Sequence, residues 1–344
     1  MEIYGLTRNF ELVTANIPYL NLQWSRKYYG AGNFQLQIAA EVYEPSWHYI
    51  CTHDRPEVGI VQKVEYKNDG GERLILLSGF FAEKVLDEIV CAPRFTKDLS
   101  RTENVCKAMF DKYNVQSKKG IAWKANETPL GDRTQSDFIG DKLGSKMYSI
   151  LETRELSYRV TTDDLFTGLT CSVWQGLNRA QSQDENPWQV FSTTWGNIED
   201  ETVSIDSSAY ANVCVISAAD ESVQIEVDLS NGGERFETFL DKTRESKKDD
   251  QTEAEFYDGL RQEGLEKLAD LLTETEIDIT NFGSEEYRTD YDLGDMVTVE
   301  LEDIGVTLET RIVEVSEVFK PSGHTVELGF GTKRITNIQR ALIG

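Results

Sequence analysis

Apolar and polar residues alternate along the first 90 residues with the period of β-strands. LNLQW (20–24) and FQLQI (34–38) both alternate, and the segment SRKYYGAGN between them predicts a hairpin connection. A second strand–turn–strand pattern runs from GIVQKVEY through KNDGGE to RLILLSGFF, and residues 68–71 of its turn are Asn, Asp and Gly, which tolerate positive φ. Short strands at close spacing predict a small sandwich or barrel.

Helical patterns interrupt the strands in the middle of the chain. Ser100 and Glu103 have the spacing of a capping box and predict a helix that reaches about Asn114. A second helix is predicted over 144–156, where the apolar residues recur with helical spacing. Residues 115–142 between the two helices are polar and contain glycine, which predicts an exposed excursion.

Strand patterns return after residue 156 and continue to near the end. Thr252 and Glu255 form another capping box, and apolar residues on one face predict a helix over 253–273 within this region. That apolar face consists of Tyr257, Leu260, Gly264, Leu268 and Leu271.

The predicted fold class is therefore mainly β with α insertions (α+β), with two small β-barrel-like domains and a mixed α/β insertion. The predicted domains are an N-terminal β-barrel-like domain (1–95), a mixed helix and hairpin insertion (96–183) and a second β-barrel-like domain (184–344) that carries the helix at about 253–273.

Length and composition agree with a globular protein. The chain has 344 residues, of which 39% are hydrophobic, enough for two to four structural units with real cores. It contains no apolar run of 18 residues and starts without the pattern of a secretion signal, so we expect a soluble product without membrane insertion. Its five cysteines are widely spaced and odd in number, which favours reduced, buried thiols.

The negative charge is concentrated in the second half of the chain. Residues 1–120 contain 15 basic and 15 acidic side chains, whereas residues 184–310 contain 8 basic and 34 acidic ones. Such a surface repels nucleic acid and anionic lipid, which argues against a DNA reader or a membrane-surface binder. Two interpretations stay open: a solubilising face, or a surface that a polyanion must pass without binding.

Motifs for catalysis and cofactor binding do not occur in the sequence. There are three histidines, and neither an H-E-x-x-H, a G-x-S-x-G nor a Walker motif is present. A carboxylate-dependent glycoside hydrolase would need two acids at a spatial separation that a sequence does not reveal. We therefore predict no enzyme, with no catalytic, cofactor-binding or metal-binding residues and no cofactor.

The stretch DYDLGDMVTVE (290–300) is the densest candidate for a metal site. A calcium loop of the EF-hand type that starts at Asp290 would need Asp or Asn at the fifth position, Gly at the sixth and Glu at the twelfth, but those positions hold Gly294, Asp295 and Leu301. As a turn the stretch fits well, because Asp292 can bind backbone amides and Gly294 can adopt positive φ before the next strand. We predict a turn.

The six tryptophans raise the possibility of a carbohydrate-binding surface. They are Trp24, Trp47, Trp123, Trp174, Trp188 and Trp195. Because they mostly fall in alternating strands, packing in the core is favoured over a sugar platform. A carbohydrate-binding module or a glycoside hydrolase acting on the host cell surface is the alternative function.

Six short motifs are spread over nearly the whole chain. They are RNFELV (8–13), the pattern L-x-W-x-R-x-Y-x-x-x-G-x-F-x-L (22–36), QVFS (189–192) with Trp195-Gly-Asn197, Arg235-Phe-Glu237 with Asp241, Tyr291-Asp-Leu-Gly-Asp295, and the ending GFGTKR (329–334). In this order they resemble motifs of siphophage and prophage tail proteins of the baseplate-hub (tail-tip hub) family. One position departs from the family: Gly176-Leu-Asn178-Arg179 stands where Gly-x-Asp-Arg is expected, which puts any role of that acid in doubt.

The resemblance implies a structural component of a phage or prophage virion tail, made in the cytoplasm of the bacterial host. It implies two β-barrels in one chain, a homotrimeric ring that joins the tail tube to the tip, and partners among the distal tail, tail-tube, tip and fibre proteins. DNA would pass the ring during ejection without specific binding. The chain ends at Gly344 just after the closing strand, so we expect lytic or receptor-binding activity to reside in another protein.

Overall fold

The computed structural model describes residues 1–206, 210–247, 251–269, 271, 274–281 and 286–332. The strands in chain order are β1 (Tyr4–Leu6), β2 (Leu12–Thr14), β3 (Asn21–Lys27), β4 (Asn33–Ala39), β5 (Tyr49–Cys51), β6 (Gly59–Ile60), β7 (Lys63–Asp69), β8 (Glu72–Phe80), β9 (Phe95–Arg101), β10 (Ile121–Trp123), β11 (Arg133–Phe138), β12 (Ser157–Thr161), β13 (Leu169–Trp174), β14 (Val190–Ser192), β15 (Ile198–Asp206), β16 (Val213–Ala218), β17 (Val223–Asp228), β18 (Glu237–Lys242), β19 (Glu274–Asn281), β20 (Met296–Leu301), β21 (Val306–Lys320) and β22 (Gly323–Thr332). The α-helices are α1 (Thr102–Lys112), α2 (Val115–Lys119), α3 (Leu143–Glu152) and α4 (Glu253–Ala269).

One long sheet joins strands from both ends of the chain. Its order is β15-β19-β22-β21-β3-β4-β8-β7. Strand β21 is 15 residues long; residues 306–311 pair with β20, and residues 314–319 pair with β3. Strand β14 pairs with the outer side of β20 in the parallel direction. The first and last parts of the sequence are therefore held together by backbone hydrogen bonds along β21.

Smaller sheets complete the fold. They have the orders β2-β1-β5-β6, β10-β13-β12 and β11-β9. A further sheet, β17-β16-β18, lies in the sequence between the paired strands β15 and β19 and packs against α4. Gly264 permits the close approach of α4, because a Cβ there would lie 2.7 Å from Cδ1 of Ile216.

The buried apolar residues of the described part of the chain form four clusters. The largest surrounds α1 and α3, the second lies on β20, β21 and β22, the third on β3, β4 and β8, and the fourth under α4. Burial alternates along β4, where Phe34, Leu36 and Ile38 are fully buried. The alternating sequence pattern thus corresponds to one face of the sheet that packs on the core.

The predicted fold class, mainly β with α insertions, is confirmed. No sheet closes into a barrel among the strands that the structure describes; the strands expected in two barrels lie mostly in one long sheet. The division of the chain at residues 95/96 and 183/184 stays a prediction. None of the helices in the described ranges has the length and apolar character that a membrane span requires.

Two local predictions were wrong. Ser100 belongs to β9, and Glu103 accepts hydrogen bonds from the backbone amides of Asn126 and Leu130 instead of capping α1. The segment 115–142 is also more than an exposed excursion, since it contains α2, β10 and β11 and buries Val115 and Ile121 completely.

All three helix predictions were correct in place, and the first predicted helix is α1. The second predicted helix is α3, and the third is α4, where the amide of Glu255 donates to Thr252 Oγ1 and Thr252 Oγ1 donates to the Glu255 carboxylate at 2.8 Å. Of the predicted continuation to residue 273, residues 270, 272 and 273 lie outside the described residues. Lys333 and Arg334 of the ending GFGTKR also lie outside them.

Candidate functional site

The acid-rich stretch 290–300 forms a turn whose carboxylates bind arginine and backbone amides. Gly294 has a φ of 86°, which favours glycine. The Asp292 carboxylate accepts a hydrogen bond from Arg26 at 2.8 Å and one from the amide of Leu293 at 2.7 Å. Asp295 accepts from Arg179 Nε at 2.9 Å and from the amide of Leu177 at 2.7 Å. The prediction of a turn is correct.

Burial and these hydrogen bonds act in opposite directions on the two acids. Burial alone would raise the pKa of Asp292, but the Arg26 guanidinium and the Leu293 amide hold that pKa below its ordinary value. Burial dominates at Asp295 and raises its pKa despite the donors from Leu177 and Arg179. No group of three or more His, Cys, Asp or Glu side chains that could hold a metal occurs within the described ranges.

Arg26 is the centre of a buried ion network between distant parts of the chain. It lies on β3 and is only 4% exposed. Its Nε atom lies 2.7 Å from a carboxylate oxygen of Glu57, and its Nη1 atom contacts both Asp292 and the Tyr287 hydroxyl. Because a buried guanidinium needs anionic and hydrogen-bonding partners, this contact orients the turn before β20 against β3.

A second buried acid, Glu317, continues the network along β21. It is fully buried and accepts from Nε and Nη2 of Arg55 at 2.8 and 2.5 Å. Nε2 of His324 lies 3.1 Å from the same carboxylate. Burial would raise the pKa of Glu317, but His324 and Arg55 keep it below its ordinary value. The bidentate pair with Arg55 ties the loop before β6 to β21.

The departure from the family motif at Asn178 has a local explanation. The Asn178 side chain accepts a hydrogen bond from the amide of Ala180. The neighbouring Arg179 finds its carboxylate in Asp295, which is 116 residues later in the sequence. The aspartate that the family motif has at this position, and that this chain lacks, is therefore not needed to pair Arg179.

Asn197 of the Trp-Gly-Asn motif closes the outer edge of β14. Its Oδ1 atom accepts from the amide of Ser192 at 2.8 Å, and its Nδ2 atom donates to the carbonyl of Val190 at 2.8 Å. The side-chain amide thereby takes the place of a neighbouring strand at this edge.

The hydroxyl groups of Thr193 and Ser192 donate hydrogen bonds to the Glu302 carboxylate. These bonds lower the pKa of Glu302 to about 2.

Arg235 of the Arg-Phe-Glu motif holds a group of acids on the face of β17 and β18 opposite α4. Its guanidinium contacts Glu226 at 2.7 Å, Asp228 at 2.7 Å and Glu237 at 3.1 Å. Asp241, the last acid of the motif, accepts from Thr243 at 2.7 Å. These residues are exposed, so the group contributes a structured but negative surface.

Glu83 is a buried carboxyl group that forms no ion pair with a cation of the described residues. It lies in the 3-10 helix Ala82–Glu88 and accepts from the amide of Val160 at 3.0 Å. Burial raises its pKa to about 7, and the amide of Val160 opposes this only in part. The group therefore titrates near neutral pH.

Two of the six tryptophans lie on the surface. Trp188 and Trp195 are 55% and 61% exposed, whereas Trp24 and Trp47 are 0% and 4% exposed; Trp123 and Trp174 are partly buried and pack against core clusters. The expectation of core packing thus holds for four of them and was wrong for Trp188 and Trp195. A surface depression of about 340 Å³ lies elsewhere, beside Tyr29, Phe80 and Tyr148.

The sequence placed the turn acids correctly but missed their partners. Arg26, Glu57, Arg55 and Glu317 were not identified as a group, although a signal was present. Arg26 is an even number of residues from the apolar residues at 22 and 24, so the three side chains point to the same face of the strand. The same holds for Glu317 and the apolar residues at 315 and 319. A charged residue at an inward-facing strand position indicates a buried partner.

Comparison with protein families and solved structures extends these findings. The model of the family described as "Siphovirus ReqiPepy6 Gp37-like protein" matches residues 1–332. No curated protein sequence matches the chain.

Several solved structures share the fold, among them three tail proteins. The prophage MuSo2 43 kDa tail protein from Shewanella oneidensis has a TM-score of 0.63 and 13% identity, and covers 96% of this chain and 98% of its own. The tail protein from Neisseria meningitidis MC58 has the same TM-score and identity, with 96% of each chain covered. The prophage tail protein gp18 from Listeria monocytogenes EGD-e has a TM-score of 0.58 and 13% identity, with 100% and 99% covered.

Proposed function

The chain belongs to the Siphovirus ReqiPepy6 Gp37-like protein family, and from this premise we propose that it is a structural protein of a phage or prophage tail, the baseplate hub that joins the tail tube to the tip. The observation that carries the proposal is the large share of the chain over which it matches the family model and solved tail proteins. The family model covers residues 1–332, and the similarity to each of three solved tail proteins extends over at least 96% of the chain. The resemblance in the motifs spans the same length.

The contacts inside the chain support a structural role. The acids of the family motifs bind arginines and backbone amides: Asp292 binds Arg26, Asp295 binds Arg179, and Glu237 binds Arg235. The bonds of Asp292 and Asp295 hold distant segments in fixed positions, and all three bonds leave these carboxylates engaged. We infer that the chain acts as a rigid assembly component and not as an enzyme.

In this proposal three copies form a ring around the DNA channel, and the ring contacts the tail-tube or distal tail protein on one side and tip or fibre proteins on the other. The acidic surface then has a function. A negative channel wall repels DNA and prevents it from binding as it passes. Exposed acids such as Glu226, Asp228 and Glu237 are candidates for that wall.

Antibody labelling of tails tests the position of the protein. Tails purified from the phage or lysogen that encodes the chain would be labelled with gold-conjugated antibody and imaged by electron microscopy. We expect gold at the distal end of the tail tube. Gold along the whole tube, or tails without the protein, would contradict the proposal.

The alternative, carbohydrate binding, rests on Trp188 and Trp195, whose exposed indoles flank β14. Exposed tryptophan can stack on a sugar ring. A soluble-glycan binding assay with the wild type and with Trp195→Ala decides between the two. The hub proposal predicts binding by neither protein, whereas binding that disappears in the variant would favour the alternative.

A further inference from the structure

Strand β7 forms one end of the long sheet and leaves its outer edge open. Among the described strands it pairs only with β8, over all seven of its residues. An open strand edge presents a row of backbone donors and acceptors that can pair with another chain. Covering such an edge by an added strand is a recurrent mode of protein association.

The apolar face of the sheet continues onto β7 without cover. Val64 is paired with Leu77, and Tyr66 with Ile75, so each pair points to the same side of the sheet. Leu77 and Ile75 are buried in the core on that side, with 0% and 6% exposure. Val64 and Tyr66 are 43% and 58% exposed. The core face therefore ends in a row of exposed apolar side chains.

The charge pattern of β7 indicates which occupant fits this edge. If two β7 strands pair antiparallel over their whole length, Tyr66 lies opposite Tyr66 of the second copy at the centre. Glu65 then lies opposite Lys67 of the other copy, and this pair occurs twice because the arrangement is two-fold symmetric. Opposite charges in facing positions stabilise a pair of strands.

The two neighbouring kinds of register fit less well. Centring the pair on Glu65 places Glu65 opposite its own copy and Lys63 opposite Lys67, which are like charges. A shift by one residue places Lys67 or Glu65 of one copy opposite the apolar residues of the other, and so breaks the continuous apolar face. The register centred on Tyr66 keeps both the apolar face and the charge complementarity.

We propose that β7 is a self-association edge, at which two copies of this chain pair their β7 strands antiparallel about a two-fold axis at Tyr66. The contact buries Tyr66 and extends the sheet from one copy into the next. It is independent of the proposed ring, because a two-fold contact between identical edges links two subunits and does not generate three-fold symmetry.

Cysteine cross-linking tests the register. Facing residues of antiparallel strands have Cα atoms about 5 Å apart, which a disulfide can bridge. In the proposed register Tyr66→Cys faces its own copy. Val64→Cys is the matched control, because its copy lies four residues away along the strand, about 13 Å, too far for a disulfide. The five native cysteines are all buried and give no background reaction.

We expect mild oxidation of the purified full chain to convert Tyr66→Cys into a cross-linked dimer and to leave Val64→Cys monomeric on a non-reducing gel. Equal cross-linking of the two variants, or none by Tyr66→Cys, would overturn the proposal.

A measurement without cysteine variants checks the charge pairs. Light scattering should find the wild type at twice the subunit mass of 39.0 kDa at high concentration. Lys67→Glu should lose this dimer, because the new carboxylate would face that of Glu65 in the other copy, and the exchange Glu65→Lys with Lys67→Glu should return the mass toward that of the wild type. Lys118→Glu, an equal charge change at an exposed position of α2, serves as control and should dimerise normally. Dimerisation of Lys67→Glu at the wild-type concentration would contradict the two-fold register.

Discussion

Gly176 lies directly against Gly294, 118 residues later in the chain. A Cβ atom on Gly176 would come within 2.0 Å of the Gly294 carbonyl oxygen, and one on Gly294 would lie 2.5 Å from the ring of Tyr28. This approach of two backbones allows the Leu177 amide and Arg179 to reach the Asp295 carboxylate. The Gly-x-Asn-Arg segment and the Leu-Gly-Asp turn thus form one structural unit.

Gly176→Ala should destabilise the protein strongly, because the added methyl group meets backbone atoms that have little room to move. Overpacking of this kind costs about 1–3 kcal/mol or more. Thermal unfolding of the variant measures the effect. Gly168→Ala is the matched control, since a Cβ there meets nothing within 4 Å. Equal melting temperatures for the two variants would show that the approach of Gly176 to Gly294 is not close.

Arg26→Met should cost about 3–5 kcal/mol of unfolding free energy, because it leaves the buried Glu57 carboxylate without its cation. Lys27→Met, the next residue on β3, is the control. Lys27 forms an exposed ion pair with Glu314 at 3.3 Å, and such pairs contribute about 0–1 kcal/mol. Urea unfolding of the two variants gives the comparison, and a similar loss in both would contradict the central role of Arg26.

Asn197→Asp should weaken the edge of β14, because the new carboxylate cannot donate to the Val190 carbonyl. The unpaired buried carbonyl should cost about 1–3 kcal/mol. Hydrogen exchange of the Ser192 amide, which donates to Asn197, followed by mass spectrometry, should be faster in the variant. Unchanged protection would mean that Asn197 does not close the edge.

Glu83 should make the stability of the protein depend on pH. Its pKa is raised by burial from 4.5 to about 7 in the folded chain. The neutral carboxyl group contributes to the free energy of unfolding in full below about pH 4.5, and this contribution is lost as the pH rises through 7. The loss amounts to about 3 kcal/mol. Urea unfolding at several pH values should show a smaller loss over this range for Glu83→Gln than for the wild type. Identical pH profiles would contradict burial of an ionisable Glu83.

The strand pattern could be predicted from sequence where one face of a strand packs on the core. The two early hairpins appear at the expected places as β3–β4 and β7–β8, because alternation reports the inward face directly. The capping box predicted at Thr252 is present in the structure, whereas the one predicted at Ser100 is not. Strand β9 extends through Ser100, since pairing with β11 outweighs a local capping preference.

Long-range pairing could not be predicted in the same way. Nothing local in β21 indicates that it contacts both β3 and β20, which come from opposite ends of the chain. Asp292 and Asp295, which pair with Arg26 and Arg179, are likewise more than 100 residues away from these arginines in the sequence. Local patterns give the elements and the turn, but they do not give which distant carboxylate reaches which arginine.

Cryo-electron microscopy of intact tails, purified from the phage or lysogen that encodes the chain, tests the hub account most directly. The measurement is the number and arrangement of copies of this fold at the tail tip. The account predicts three copies in a closed ring around the channel, between the tail tube and the tip proteins. A tip without this fold, or copies that do not surround the channel, would contradict it.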